Sequence, residues 1–214
     1  MMAVVLMLPV LVLGGIQRGM EPASPQQGLN LVQQTMTPEK GVFLVASPDM
    51  RDPRFYQTVV LILAHGGNGT LGLIINRASE IPLSEVLPEL ESPGLKSQLL
   101  FFGGPVGLNG LLFLMRGDLV PERATQQVMG DVYFSGDRAL LEELLGQDQD
   151  SRDLRVYLGQ AGWAPGQLEN ELAGGSWDLV RADTHTVFEK DLKDIWLDLS
   201  GPPEIPRFIV QGGV

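Results

Sequence analysis

At 214 residues the chain is long enough for one domain with a substantial core, and its composition, 44% hydrophobic and 19% charged with 26 Gly and 15 Pro, is that of a turn-rich globular protein. The formal net charge is −11, with 16 Asp and Glu against 6 Lys and Arg in residues 131–204, so there is no basic stripe for a phosphate backbone and direct nucleic-acid binding is not expected. The absence of Cys excludes disulfides, a thiol nucleophile, thiolate metal sites and lipoprotein acylation; His65 and His185 lie far apart without zinc-site spacing, so neither a metal nor a cofactor is expected.

Residues 1–40 read as an apolar leader plus linker, and residues 41–214 as the folded domain. The run from Ala3 to Gly15 is too short to span a bilayer as a helix and has the length of a signal-peptide core. No Lys or Arg precedes it, and the nearest approach to a cleavage site is around Pro22-Ala23-Ser24. An export signal, a stretch upstream of a start at Met20 or Met36, and a short apolar tail docked on the domain all fit it. Glu21–Lys40, rich in Gln, Pro and Thr, reads as the linker.

From Gly41 onward, β-branched and aliphatic runs alternate with turn residues. Gly41–Ser47, Thr58–His65 and Thr70–Asn76 are predicted strands, the last two joined as a hairpin in which Asn68-Gly69 accepts positive φ. Asp52-Pro53 predicts a helical turn, capped by Asp52, that places Phe55 and Tyr56 against the hairpin. Ser84–Leu90 is a predicted helix limited by Pro88. Gln98–Gly103 and Gly110–Arg116 read as a strand pair, and Gln126–Ser135 as one longer strand. Asp137 caps a predicted helix over Arg138–Leu145, whose leucines form one apolar stripe ended by Gly146. Leu154–Gly159 and Trp177–Arg181 read as strands, Gln167–Leu172 as a short helix stopped by Gly174, and Asp191–Leu199 as a last amphipathic helix. Mixed runs of strands with few short helices indicate an α+β fold without internal repeats.

Four segments, FLVASPDMRDPRFYQTVVLILAH, GTLGLIINR, FFGGPV, and GQAGWAPGQLENEL followed by GGSW, resemble the AlgH/YqgE family of bacterial proteins, in register and in order from about Gly41 to Phe188. The resemblance implies a single domain with a mixed, strongly bent, partly barrel-like sheet flanked by short helices, and a cytoplasmic location, with export the alternative if residues 1–20 are a signal peptide. Members are sometimes labelled regulators of polysaccharide production; the resemblance supplies no catalytic residues.

No motif replaces them. Gly66-Gly67-Asn68-Gly69 and Gly103-Gly104-Pro105 match neither phosphate-loop pattern, and Ser47, His65 and Asp118 could form a triad by residue type but lack a GxSxG elbow. Asn76-Arg77 and Arg116, at the ends of apolar strands, form a candidate ligand site if they converge beside Gly103, Gly104 and Pro105, where two guanidinium forks would take a small anion. Pairing of Arg77 and Arg116 with local carboxylates such as Glu80 and Asp118 is the simpler expectation. Trp163 and Trp177 are either an exposed aromatic patch for a partner or indoles buried on the sheet. The leading function is a non-enzymatic binding or regulatory protein acting through protein or small-molecule contacts; the alternative is a hydrolase or transferase built around Arg77 and Arg116.

Overall fold

The first two strands are apolar on both faces because the sheet is covered on both faces there, and a computed structural model, which describes residues 36–89, 98–117, 125–146 and 153–201, shows what covers them. The predicted leader and most of the predicted linker lie outside these residues. In β1 (Val42–Ala46), Phe43 and Val45 enter one core, and Val42, Leu44 and Ala46 another. β2 (Val59–Gly66) divides in the same way: Val59, Leu61 and Leu63 join the first core, Val60 and Ile62 the second.

The elements that follow are β3 (Gly69–Ile74), β4 (Ala78–Pro82), α1 (Leu83–Val86), β5 (Leu99–Phe102), β6 (Val106–Arg116), β7 (Gln126–Met129), β8 (Val132–Ser135), α2 (Arg138–Gly146), β9 (Leu154–Trp163), α3 (Gln167–Ala173), β10 (Trp177–Arg181), α4 (Thr184–Phe188) and α5 (Leu192–Leu199). They form one open mixed sheet with the path β10-β1-β2-β3-β9-β6-β8-β7, to which β5 adds through β9 and β4 through β5. Every pairing is antiparallel except β5 with β9. The α+β class, with a mixed sheet and few short helices, is that implied by the resemblance; the sheet expected to be partly barrel-like is not closed.

β9 is the spine. One edge binds β6, and the other binds first β5 and then β3. Tyr157 faces the first core, whereas Ala161 and Trp163, at the same parity along the strand, face the second. The reversal occurs at Gly159, whose φ of +72° admits a kink that a side chain would resist. A Cβ there would also overlap the Gly104 carbonyl oxygen.

Several expectations are corrected. The loop between β2 and β3 is Gly67-Asn68, and only Gly69, φ +106°, takes positive φ, as expected of a type I turn followed by a glycine bulge. β5 and β6 do not pair with each other: β9 separates them, and β6 begins at Val106, not Gly110. Residues Gln126–Ser135 form a hairpin, because Gly130 at φ +43° turns the chain between Met129 and Val132. Residues 53–57 form turns without an α-helix, though Asp52 caps them as expected through Arg54 N–H at 2.9 Å. Phe55 packs on Trp163 and Trp177 while Tyr56 is half exposed. β4 and α4 lacked any sequence expectation, and β9 continues past Gly159 to Trp163.

The helices behave as their caps direct. Asp137 Oδ1 accepts from Leu140 N–H at 2.9 Å, and α2 buries Leu140, Leu141 and Leu145. Asp183 and Asp191 cap α4 and α5, with Ile195 of α5 fully buried.

Candidate functional site

A cleft opens where β1 ends and β10 begins, beside the end of β9. Trp163 closes β9 and Trp177 opens β10; both indoles are buried, at 5% and 4% exposure, so burial on the sheet is the outcome for this pair. Their rings meet edge to face with centroids 5.8 Å apart, and Phe55 from the Asp52 turn stacks on Trp163 at 6.0 Å and meets Trp177 edge-on at 5.4 Å. Each buried indole N–H needs an acceptor, and one carboxylate serves both: Glu171 Oε2 accepts from Trp163 Nε1 and from Trp177 Nε1 at 2.8 Å each. Glu171 Oε1 accepts from Gln167 Nε2 at 2.9 Å, one helical turn earlier on α3.

Over this floor stands a cleft of about 660 Å³, walled by Met50, Phe55, Pro105, Val106 and the Gly174-Gly175-Ser176 loop. The polar groups around it are mostly engaged. Ser47 Oγ accepts from Asp49 N–H at 3.1 Å, and Arg54 forks onto Asp52 with its closest contact at 2.7 Å. That fork, before all else, holds the Asp52 carboxyl below its ordinary pKa. Asp49 and Arg51 line the mouth and have no side-chain partner among the described residues.

A second cleft, of about 580 Å³, lies between the same turn and α5, lined by Tyr56, Gln57, Asn76, Arg77, Lys193, Trp196 and Leu197 among others. Asn76 Oδ1 accepts from Val59 N–H and Asn76 Nδ2 donates to the Gln57 carbonyl, both at 2.9 Å. Arg77 donates to the carbonyls of Arg54, at 2.5 Å, and Tyr56, at 3.0 Å. Partial burial keeps the Arg77 guanidinium below its ordinary pKa. This pair therefore clamps the turn whose other side is the wall of the first cleft.

The residues singled out in the sequence are thus distributed. Pro105 lines the first cleft, Asn76 and Arg77 the second, and Arg116 neither. Gly103 and Gly104 are buried against the backbone of residues 159–161, too close for any Cβ, which accounts for both glycines by packing. Met115 lies level with Leu154 on β9, so Arg116 sits one residue further along, beside Asp153, while Gly103 is level with Gly159, about 20 Å away along the strand at ~3.3 Å per residue. Its guanidinium is held by Asp153 at 2.8 Å and Glu189 at 2.6 Å. The structure does not bring Arg77 and Arg116 into one pocket; Arg116 pairs with carboxylates, Asp153 and Glu189, while Asp118 lies outside the described residues, and Arg77 pairs with carbonyls, not with Glu80.

Ser47 and His65 are engaged separately. His65 Nδ1 lies 2.7 Å from Thr70 Oγ1, and its Nε2 lies 3.5 Å from Glu169. Glu171, Gln167, Asp49 and Arg51 were missed as site residues. Their only signal was membership of the segments that carry the family resemblance, since the spacing of Glu171 from two tryptophans on different elements follows no local rule.

Comparison with known proteins identifies the family and the fold. The AlgH-like family (DUF179) matches residues 43–201. A UPF0301 protein of Azoarcus sp. strain BH72 is 37% identical over 153 residues, covering 69% of this chain and 79% of that protein. A UPF0301 protein of Xanthomonas campestris pv. campestris strain B100 is 35% identical over 169 residues, covering 77% and 89%. The solution structure of the AlgH protein from Pseudomonas aeruginosa superposes with a TM-score of 0.63 at 31% identity, over 75% of this chain and 86% of that one. A crystal structure from Corynebacterium diphtheriae shares the fold, with a TM-score of 0.64 at 24% identity over 78% and 88%. The chain belongs to the AlgH-like, UPF0301 family of bacterial proteins.

Proposed function

We propose that the protein is a non-enzymatic binding or regulatory domain of the bacterial cytoplasm, acting through protein or small-molecule contacts at the cleft over Phe55, Trp163 and Trp177. One observation carries the reading: the separated segments that define the family resemblance converge there. SPDMRDPRF, GGPV, GWAPGQLENEL and GGSW supply its lining, and GTLGL braces Trp163 through the pairing of Thr70 with that residue. An aromatic floor with few open polar groups at the mouth, here Asp49 and Arg51, is the usual composition of a recognition site. The net charge of −11 favours a protein or small-molecule partner over DNA as the route of any regulatory role. No helix among the described residues is long and apolar enough to cross a membrane.

Native mass spectrometry of the full chain purified gently from its own cells tests this. A retained partner or small molecule that is lost in Phe55→Ala and in Arg51→Glu supports the reading. Retention in both, with loss in Arg77→Ala, would move the site to the second cleft and favour the alternative of a hydrolase or transferase handling an anion.

A further inference from the structure

The second cleft differs from the first in its charge. In a chain of net charge −11, its described lining holds two cations, Arg77 and Lys193, and no carboxylate. Lys193 is already met by Asp191, 3.2 Å away and outside the lining. Arg77 is met by no carboxylate among the described residues; its Nη1 and Nη2 each donate to one main-chain carbonyl, of Arg54 and of Tyr56. A guanidinium carries five N–H groups, so three remain for a ligand. The unpartnered Nε is not buried, so a ligand can reach it. Partial burial lowers the Arg77 pKa with no neighbouring anion to offset it, yet a guanidinium stays cationic at physiological pH.

The other walls are apolar. Tyr56 and Leu197 are large and at least half exposed, and they line this cleft together with Leu192 and Trp196. The Trp196 indole N–H already donates to the Ala46 carbonyl at 2.7 Å, so what its ring leaves to the cleft is aromatic surface. A volume of about 580 Å³ suits a small organic ligand. We propose that this cleft binds a small aromatic carboxylate, its anionic head on the Arg77 guanidinium and its flat body against Tyr56, Trp196 and Leu197. A carboxylate matches the planar donor fork of an arginine. An inorganic anion would answer the charge but leave the apolar walls in water, whereas an aromatic body covers them. The site is separate from the cleft over Trp163 and Trp177, and neither reading depends on the other.

The three tryptophans of the chain divide between the clefts, Trp163 and Trp177 lining the first and Trp196 the second. Their indole N–H signals in a proton–nitrogen correlation spectrum of the full chain, assigned with Trp163→Phe, Trp177→Phe and Trp196→Phe, therefore report which cleft a ligand enters. The probe is 2-naphthoate, with 2-naphthamide as its uncharged counterpart. Naphthoate should shift the Trp196 signal and leave those of Trp163 and Trp177 in place. The amide should bind about tenfold more weakly, through the loss of a charge-assisted contact. Leu197→Glu sets a carboxylate on the wall and should weaken naphthoate about tenfold or more. Because Leu197 is exposed, this variant keeps the test decisive even if Arg77→Ala loses the turn that Arg77 clamps. Equal affinity for acid and amide, shifts confined to Trp163 and Trp177, or no shift of Trp196 up to about 10 mM naphthoate overturns the proposal. None of these results removes the reading of the first cleft, whose own test is Phe55→Ala and Arg51→Glu.

Discussion

The carboxylate of Glu171 accepts the Trp163 indole N–H at 2.8 Å, and the same oxygen accepts that of Trp177. This three-way junction ties α3 to the ends of β9 and β10 and sets the floor of the cleft. A carboxylate is suited to the post because one oxygen can take two N–H donors while the other holds Gln167.

Glu171→Ala leaves two indole N–H groups in buried rings without an acceptor and should cost about 2–4 kcal/mol. Glu171→Gln retains an amide oxygen and should cost about 1 kcal/mol. Urea unfolding followed by tryptophan fluorescence measures both. Equal, small costs for the two variants would mean that the rings are held by packing and the carboxylate is incidental.

Gln57 has φ of +54°, the one described non-glycine residue with positive φ, and its carbonyl is fixed by Asn76. Gln57→Gly relieves that conformation and should be stabilising by about 0.5–1 kcal/mol. Asn76→Ala removes two hydrogen bonds and strands the N–H of the fully buried Val59, for a loss of about 2 kcal/mol. If Asn76→Ala proves neutral, the turn does not depend on this clamp.

Most strands were legible because burial on both faces writes itself as unbroken apolar runs, and the Asp caps and the leucine stripe of α2 are local signals. Pairing was not legible. β5 and β6 look like a hairpin in sequence, yet β9, some fifty residues later, lies between them, and only the close approach of Gly103 and Gly104 to residues 159–161 shows why. Whether Arg77 and Arg116 converge was not legible for the same reason: the two share a strand-end context, but the length of β6 carries Arg116 away from the cleft that Arg77 lines. Phe55 and Glu171 become neighbours of one pair of tryptophans only after the sheet has formed.

The glycine-rich turns can be separated by substitution. A Cβ at Gly104, φ +149°, would overlap the backbone of Gln160 and Ala161, whereas at Gly67 nothing lies within 4 Å and φ is not positive. Gly104→Ala should cost about 3 kcal/mol or more by forcing β9 away, and Gly67→Ala should be neutral or stabilising by up to about 1 kcal/mol. Thermal unfolding of the two variants decides it, and equal melting temperatures would contradict the close approach.

Acid should loosen the cleft wall before it unfolds the sheet. Asp52 has a folded-state pKa below the unfolded one, chiefly through its side-chain hydrogen bond with Arg54. Its contribution to stability is therefore complete above the unfolded value, near 3.8, and is lost as pH falls through the folded value. The pair is exposed, so salt and water screen it and the global effect is small. The local effect is larger, because Asp52 Oδ1 also caps the turn through Arg54 N–H, and Phe55, which stacks on Trp163, is the next residue. In wild type, amide exchange at residues 54–56 should rise as pH drops from 5 to 3 after correction for the intrinsic rate, while β2 stays protected. Asp52→Asn should show the faster exchange already at pH 7 and lose most of that acid dependence. A variant with the wild-type profile would place the acid-sensitive group elsewhere.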